Sequence, residues 1–278
     1  MISKLAPAKV NLHLKILRKR EDGYHDLATL MQRISVYDEM TFQPMDKGII
    51  LDCPGHPELE NKQNIAYRAA EMIFRQTGWS RGIHISLEKH IPIAAGLGGG
   101  SSNAATTLLA LNEMMGFPLS QRKLMQMGAT LGADVPFFIY ERTAWAFGIG
   151  DRLDEPIDIP PLFFLLINPG FELSTKTVYE KLNFALTNEP IHYSIPRFLN
   201  VQDVVEGLHN DLESVSTALY PIIGTLKDLL LGHGALGALM SGSGPTVFGV
   251  FQGEEETIQA RNALIQVGEW TLLGAHSI

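Results

Sequence analysis

The sequence predicts an α+β fold built in two halves. Three observations predict it: strict apolar/polar alternation near the start, a glycine-rich loop that leads into an Ala/Leu-rich helix at residues 92–115, and a C-terminal part in which strands flank a second glycine turn before a final helix. Along residues 9–16, Val10, Leu12, Leu14 and Ile16 fall on one face, and Lys9, Asn11, His13 and Lys15 on the other. That is the pattern of a half-buried strand. The charged run Arg18 to Asp26 reads as a loop with a turn at Asp22-Gly23, and strands are predicted near Gln32–Val36 and Glu39–Gln43. Residues 61–77 read as a helix with Ile65, Ala69, Met72 and Ile73 on one side and Gly78 to end it. Ile83, Ile85 and Leu87 alternate with His84, Ser86 and Glu88, a strand that feeds the glycine loop. The helix after the loop runs to about Met115, where Gly116 and Pro118 stop it, and Ser120 caps another through about Thr130. Gly148, Gly150, Pro156, Pro160 and Pro161 cluster with acids and mark a junction between the halves. Beyond it, Leu162–Ile167 is a buried strand and Leu219–Leu231 a helix. Ala238–Met240 and Thr246–Phe251 are strands around the Ser241–Pro245 turn, and Glu254–Val267 is a helix.

Composition narrows the class. A chain of 278 residues with 45% apolar and 19% charged residues has material for a sizeable core. A net charge of −8 argues against non-specific binding to nucleic acid or to an anionic membrane, and leaves room for a local basic pocket. The single cysteine, Cys53, excludes an intrachain disulfide and a cysteine-based metal cluster, which fits a reducing compartment. The first residues carry no apolar stretch of signal-peptide length, and no run approaches 18 apolar residues, so a soluble cytoplasmic protein is expected.

Residues 92–105, Pro-Ile-Ala-Ala-Gly-Leu-Gly-Gly-Gly-Ser-Ser-Asn-Ala-Ala, carry the most chemistry. Gly96, Gly98, Gly99 and Gly100 have no Cβ to hold a ligand away. A glycine loop opening a helix presents free backbone N–H groups at the positive end of the helix dipole. Phosphate is the usual anion for such a site. Neither common phosphate loop matches: no lysine stands where a Walker motif needs one, and Ser101 occupies the place of the third glycine of a dinucleotide fingerprint. The plain alternative is a flexible turn capped by serines.

Asp134, in Gly-Ala-Asp-Val-Pro-Phe-Phe, is an acid among residues that favour burial, with Pro136 holding Val135 extended. It reads either as a turn former between a helix and a strand or as a carboxylate on a rigid corner, able to take a proton from a substrate hydroxyl. Lys9 reads either as a solvated edge residue or as an ammonium that stabilises charge on a transferring phosphoryl group. Tyr24 and Tyr179 can stack on a flat ligand whose edge His25 can hydrogen-bond, and no second histidine stands at zinc-ligand spacing from His25. The Ser241–Thr246 turn reads as a tight hairpin or as a second set of donors for phosphates.

Together these residues resemble the GHMP kinase superfamily. Its three motifs occur in order: Pro7-Ala-Lys9-Val-Asn11-Leu, Pro92 to Ala105, and Met240-Ser-Gly-Ser-Gly-Pro-Thr246. Asp22-Gly-Tyr-His25, Leu131-Gly-Ala-Asp-Val-Pro136 and Asn210-Asp-Leu-Glu213 are similar to the branch that acts on a cytidine-diphosphate-linked methylerythritol. The resemblance spans nearly the whole chain. It implies an α+β, two-domain fold: a ribosomal-protein-S5-domain-2-like domain over 1–155 that binds ATP, a ferredoxin-like α/β sandwich over 156–278, and an active site in the cleft between. It also implies ATP-dependent phosphorylation of the substrate's 2-hydroxyl in the non-mevalonate route to isoprenoid precursors.

By the same resemblance Lys9 and Asp134 are catalytic, and a nearby lysine would keep Asp134 ionised, so that it orients more than it abstracts. Pro92, Ile93, Ala94, Ala95, Gly96, Leu97, Gly98, Gly99, Gly100, Ser101 and Ser102 embrace the ATP phosphates, with Asn64 and Lys89 near the nucleotide. Asn11, Tyr24, His25 and Tyr179 bind the substrate. ATP arrives with Mg²⁺. The glutamate that some relatives use for that ion has no clear counterpart, and no metal ligand is assigned. The expected partner is a small molecule bearing cytidine diphosphate, with no nucleic acid and no membrane, and the protein is expected as a monomer or weak homodimer. The alternatives are another small-molecule kinase or decarboxylase of the superfamily (a mevalonate or homoserine kinase, for example), or a nucleotide-binding module without catalysis.

Overall fold

The computed structural model describes residues 1–182 and 193–278. In chain order the elements are β1 (Ile2–Lys19), β2 (His25–Met45), β3 (Ile49–Asp52), α1 (Ile65–Thr77), β4 (Gly82–Glu88), α2 (Gly99–Met114), α3 (Gln121–Leu131), α4 (Val135–Tyr140), β5 (Ala144–Gly148), β6 (Arg152–Pro156), β7 (Phe163–Asn168), α5 (Thr175–Lys181), α6 (Val201–Glu206), β8 (His209–Asn210), α7 (Glu213–Leu219), α8 (Ile222–Gly232), β9 (Gly237–Met240), β10 (Val247–Phe251), α9 (Glu254–Leu264) and β11 (Thr271–His276). The α+β class holds. The chain divides into two compact units: Met1–Ala8, Tyr37–Pro92 and Gly98–Arg142 form the first, and Lys9–Val36, Ile93–Leu97 and Thr143–Ile278 the second.

In the first unit the C-terminal part of β2 pairs antiparallel with β4, Phe42 opposite Ile85, and β3 pairs parallel with β4, Leu51 opposite Ile85. The helices pack as α1 on α2, α3 on α4, and α2 on both α3 and α4. Asn64 caps α1 by accepting the Ala66 N–H at 2.9 Å, and Gly78 ends it in the left-handed conformation at φ 69°. Ser120 caps α3 by accepting from the Lys123 N–H. A Cβ on Gly128 of α3 would stand 2.8 Å from a methyl of Val135, so the absence of a side chain there lets α4 approach. Residue 135 is not extended, as its proline neighbour suggested. Pro136 lies in the first turn of α4, where a missing N–H leaves no bond unmade, and Val135 opens the helix.

In the second unit the N-terminal part of β2 pairs antiparallel with β5, which pairs with β6, and β1 pairs parallel with β8, His13 opposite His209. A separate sheet runs β11-β7-β10-β9, all antiparallel, with Gly249 opposite Leu165 on one side and Ala238 on the other. Leu165, Ile167, Leu226, Leu230, Val247 and Leu264 form its core with Leu14 and Ile16 of β1.

Four sequence expectations need correction. The strand at 9–16 is part of an 18-residue strand. It is not half-buried: Lys9, Asn11 and His13 are as covered as Val10 and Leu12. The predicted strands at 32–36 and 39–43 are one strand, β2, which runs on through Tyr37 and Asp38. The helix predicted at 219–231 is divided at Tyr220-Pro221, with α7 before and α8 after.

Asn210 shows how the second unit holds its glycine turn. Buried beside β1, it donates to the carbonyls of Met240 at 2.7 Å and Gly242 at 2.8 Å and accepts from the Leu212 N–H at 2.9 Å. Next to it, Asp211 accepts from the Ile16 N–H and from Lys15. Glu213 accepts from the Met240 N–H and pairs with Lys227. Asn210→Leu strands three buried backbone groups and is expected to cost about 3 kcal/mol in urea denaturation. An unchanged midpoint would contradict this role for the amide.

Candidate active site

In the first unit the phosphate-loop candidate is the start of α2. Gly98 is the N-cap, left-handed at φ 71°, and the first intrahelical bond runs from the Ser102 N–H to the Gly98 carbonyl at 2.9 Å. The helix therefore begins inside the glycine run, and the N–H groups of Gly98, Gly99, Gly100 and Ser101 have no intrahelical partner. Gly99 sits in a tight place: a Cβ there would stand 3.0 Å from Ile91 Cγ2 and 3.2 Å from Lys89 Nζ. Ser102 Oγ is buried and has no hydrogen-bond partner among the described residues.

Lys89 is held behind this turn. Its ammonium pairs with Asp38 and lies 3.3 Å from Asn103 Oδ1. Asp38 also accepts from the N–H groups of His90 and Ile91 and from Asn103 Nδ2. Asp134 stands at the corner between α3 and α4. That corner lies beside the glycine turn, since a Cβ on Gly132 would meet Ser101 Oγ at 3.6 Å. The corner is closed by the Val135 N–H donating to the Gly132 carbonyl. Asn64 uses both ends of its amide at the start of α1, donating to the Leu59 carbonyl as well as accepting from Ala66.

In the second unit Lys9 and Asn11 lie side by side on β1, 4% and 3% exposed, with Lys9 Nζ donating to Asn11 Oδ1 at 2.6 Å. Asn11 Nδ2 donates to Thr29 Oγ1 at 2.8 Å, and that hydroxyl donates to the His13 carbonyl. The reading of Lys9 as a solvated edge residue is thereby overturned. The Lys9 N–H donates to the Leu97 carbonyl at 2.9 Å, which ties the end of the loop segment Ile93–Leu97 to β1.

The same segment is braced by the second glycine turn. Ser241 Oγ donates to the Gly96 carbonyl at 2.9 Å, and the Thr246 N–H reaches the Ala95 carbonyl. Gly96 sits at φ 79°, and a Cβ there would lie 2.1 Å from the Ser241 carbonyl oxygen. Ser241–Thr246 is the link of the β9–β10 hairpin and is buried throughout, so it supports the loop instead of facing solvent.

The hairpin between β1 and β2 holds Tyr24 and His25 differently. Tyr24 is 61% exposed, whereas His25 is buried, its ring 5.2 Å from that of Tyr179 and tilted 39°. His25 Nε2 is buried without a hydrogen-bond partner among the described residues. The structure thus joins His25 with Tyr179 and Lys9 with Asn11, and places Lys89 beside Gly99. It does not bring Tyr24 to the His25–Tyr179 pair. Sequence reasoning missed Asp38, Asn103 and Thr29. Asn103 stood inside the glycine motif, but Asp38 lies in a strand with no pattern around it to single it out.

A GHMP kinase N-terminal domain model matches residues 64–142, and a GHMP kinase C-terminal model matches residues 198–269. The chain belongs to the GHMP kinase family. The relatives it resembles include the 4-diphosphocytidyl-2-C-methyl-D-erythritol kinase of Syntrophus aciditrophicus (strain SB), 58% identical with both chains fully covered. The enzyme of that name from Syntrophotalea carbinolica is 52% identical over 97% of this chain and 96% of its own. Among solved structures, a 4-(cytidine 5'-diphospho)-2C-methyl-D-erythritol kinase superposes with a TM-score of 0.83 at 35% identity, both chains fully covered. The mevalonate kinase of Methanococcus jannaschii has a TM-score of 0.71 at 13% identity over 100% of this chain and 98% of its own, a likeness of fold.

Burial holds the proton affinity of His25 below the ordinary histidine value, and Lys19 adds to the effect. Below about pH 6.5 the unfolded chain binds the proton more readily. The stability that comes from burying a neutral ring is complete above that pH and is lost as pH falls through it. Wild type is expected to lose more stability between pH 7.5 and 5.5 than His25→Phe, read by denaturant midpoints. Equal losses would show that His25 takes up its proton as readily in the folded protein as in the unfolded chain, and would contradict the effect of burial.

Proposed function

We propose that the chain transfers the γ-phosphoryl group of ATP to the 2-hydroxyl of 4-diphosphocytidyl-2-C-methyl-D-erythritol, within the non-mevalonate route to isoprenoid precursors. The observation that carries the substrate is His25: a buried imidazole with a nitrogen left unpartnered among the described residues, packed on Tyr179. A nucleobase edge suits that nitrogen and a base face suits the rings. Full-length identity to curated relatives of the same name supports the reading.

Phosphoryl transfer needs position and charge stabilisation more than covalent help. In this reading the backbone N–H groups at the start of α2 hold the phosphates of ATP, and residues 92–97 shape the approach. Asn64 and Lys89 stand near the nucleotide. Asp134 takes or orients the proton of the acceptor hydroxyl. Lys9, fixed by Asn11, stabilises the charge on the transferring group, and Asn11 and Tyr24 contact the substrate. Mg²⁺ brought by ATP would neutralise phosphate charge. Such an ion keeps several water and phosphate ligands and asks few of the protein. No group of three or more His, Cys, Asp or Glu residues that could hold a metal is found among the described residues. The buried Ser102 hydroxyl is a hard oxygen donor that fits the ion.

We take residues 1–155 and 156–278 as the two domains. The protein acts in the cytoplasm as a monomer or weak homodimer, without nucleic acid. None of its helices among the described residues is long and apolar enough to cross a membrane.

ADP release measured with and without the cytidine substrate tests the activity. Release that requires this substrate and is inhibited by CDP or CMP is expected. Release with mevalonate or homoserine, indifferent to CDP, would point to another kinase, and no turnover at all to a binding module. Asp134→Asn is expected to lower turnover by at least roughly two decades, the scale of a positioned acid–base group. Near-normal turnover would remove Asp134 from the mechanism.

A further inference from the structure

We infer that Asp38 is the positioning residue of the phosphate-binding turn. The inference rests on the reading that the start of α2 takes the phosphates of ATP. The Asp38 side chain is fully buried, so it does not touch a ligand itself. Its two oxygens take four donors. Oδ1 accepts the His90 N–H at 2.8 Å and the Ile91 N–H at 2.9 Å, while Oδ2 takes Asn103 Nδ2 at 2.9 Å and the Lys89 ammonium. Four acceptor sites are about what a carboxylate offers, so the group is saturated.

Two segments are tied by this one side chain. Residues 89–91 form the turn by which the chain leaves β4 for the loop, and Asn103 lies in the second turn of α2. A saturated buried network of this kind has one geometry, and a polar network that loses one acceptor loses more than one bond. The same network fixes Lys89 Nζ at 3.2 Å from the place of a Cβ on Gly99. A positive charge is thereby held beside the residue that opens the helix. Asp38 sets the direction of the Gly98–Ser101 N–H groups and the place of the Lys89 charge, both of which act on the anion.

Calorimetric binding of a non-hydrolysable ATP analogue tests this without the acceptor substrate, with CDP as the control ligand. Asp38→Asn keeps the shape but turns a donor toward Lys89 and Asn103. It is expected to weaken the analogue at least tenfold and CDP less than twofold. The exchange Asp38→Asn with Asn103→Asp restores one carboxylate for Lys89 and a donor–acceptor pair between the two positions, and is expected to return the analogue to within threefold of wild type. A folded Asp38→Asn protein with unchanged analogue affinity would overturn the inference. So would equal weakening of both ligands, which marks a general loss of structure, or an exchange variant as weak as Asp38→Asn. Where Asp38→Asn does not fold, Asn103→Ala, which cuts the ties from Asp38 and Lys89 to α2 and leaves Asp38 its other three donors, is read by the same criteria. Wild type that binds CDP but no ATP analogue would instead refute the kinase reading, and the inference with it.

Discussion

A helix that begins within a run of glycines is the constraint on which the other features depend. Its first four N–H groups have no carbonyl within the helix to meet, and at the first three no Cβ keeps an anion away. Such a turn is useful only if it is rigid, because donors that must be ordered on binding give back much of the energy they supply. In the first unit the ordering comes from Asp38, buried and saturated, tying residues 89–91 to α2. In the second, the approach to the turn is pinned at Gly96 and Ala95 by the Ser241–Thr246 link, which is held in turn by Asn210. Flexible glycines are thus fixed by buried side chains.

The lysine proposed as catalytic follows the same logic of restraint. Lys9 would be an ordinary strand lysine if β1 were an edge. Here the strand is covered, and the ammonium is held by Asn11, which Thr29 holds in its turn. A buried cation with a fixed direction stabilises charge that develops in a transition state far better than a mobile one in water. His25 shows the converse, a buried ring nitrogen with no hydrogen-bond partner among the described residues.

Much of this was legible in the residues alone. The alternation at 9–16 located β1, and the caps at Ser120 and Gly78 placed helix ends, because each rests on a local rule that the rest of the chain does not override. The glycine run at 96–100 likewise located the start of α2. What local rules did not disclose was what lay across the fold. Alternation suggested that Lys9 faced water, and only the packing shows otherwise. Asp38 carries no signal, since its four partners come from residues 52 to 65 positions away and from Lys89, 51 away. Short elements such as β8 and α6 fall below the length at which periodicity can be read. Pro136 misled in a specific way: the rule that it extends its predecessor gives way in the first turn of a helix, where proline is welcome.

The most direct test of the central claim is to watch the backbone donors themselves. Amide resonances of Gly98, Gly99, Gly100 and Ser101 should show the largest shifts in the protein when a non-hydrolysable ATP analogue is titrated in. Those of residues 241–246, buried behind the loop, should move little. Saturable binding that leaves the four glycine-turn amides in place and shifts resonances elsewhere would contradict the assignment of the helix start as the phosphate site.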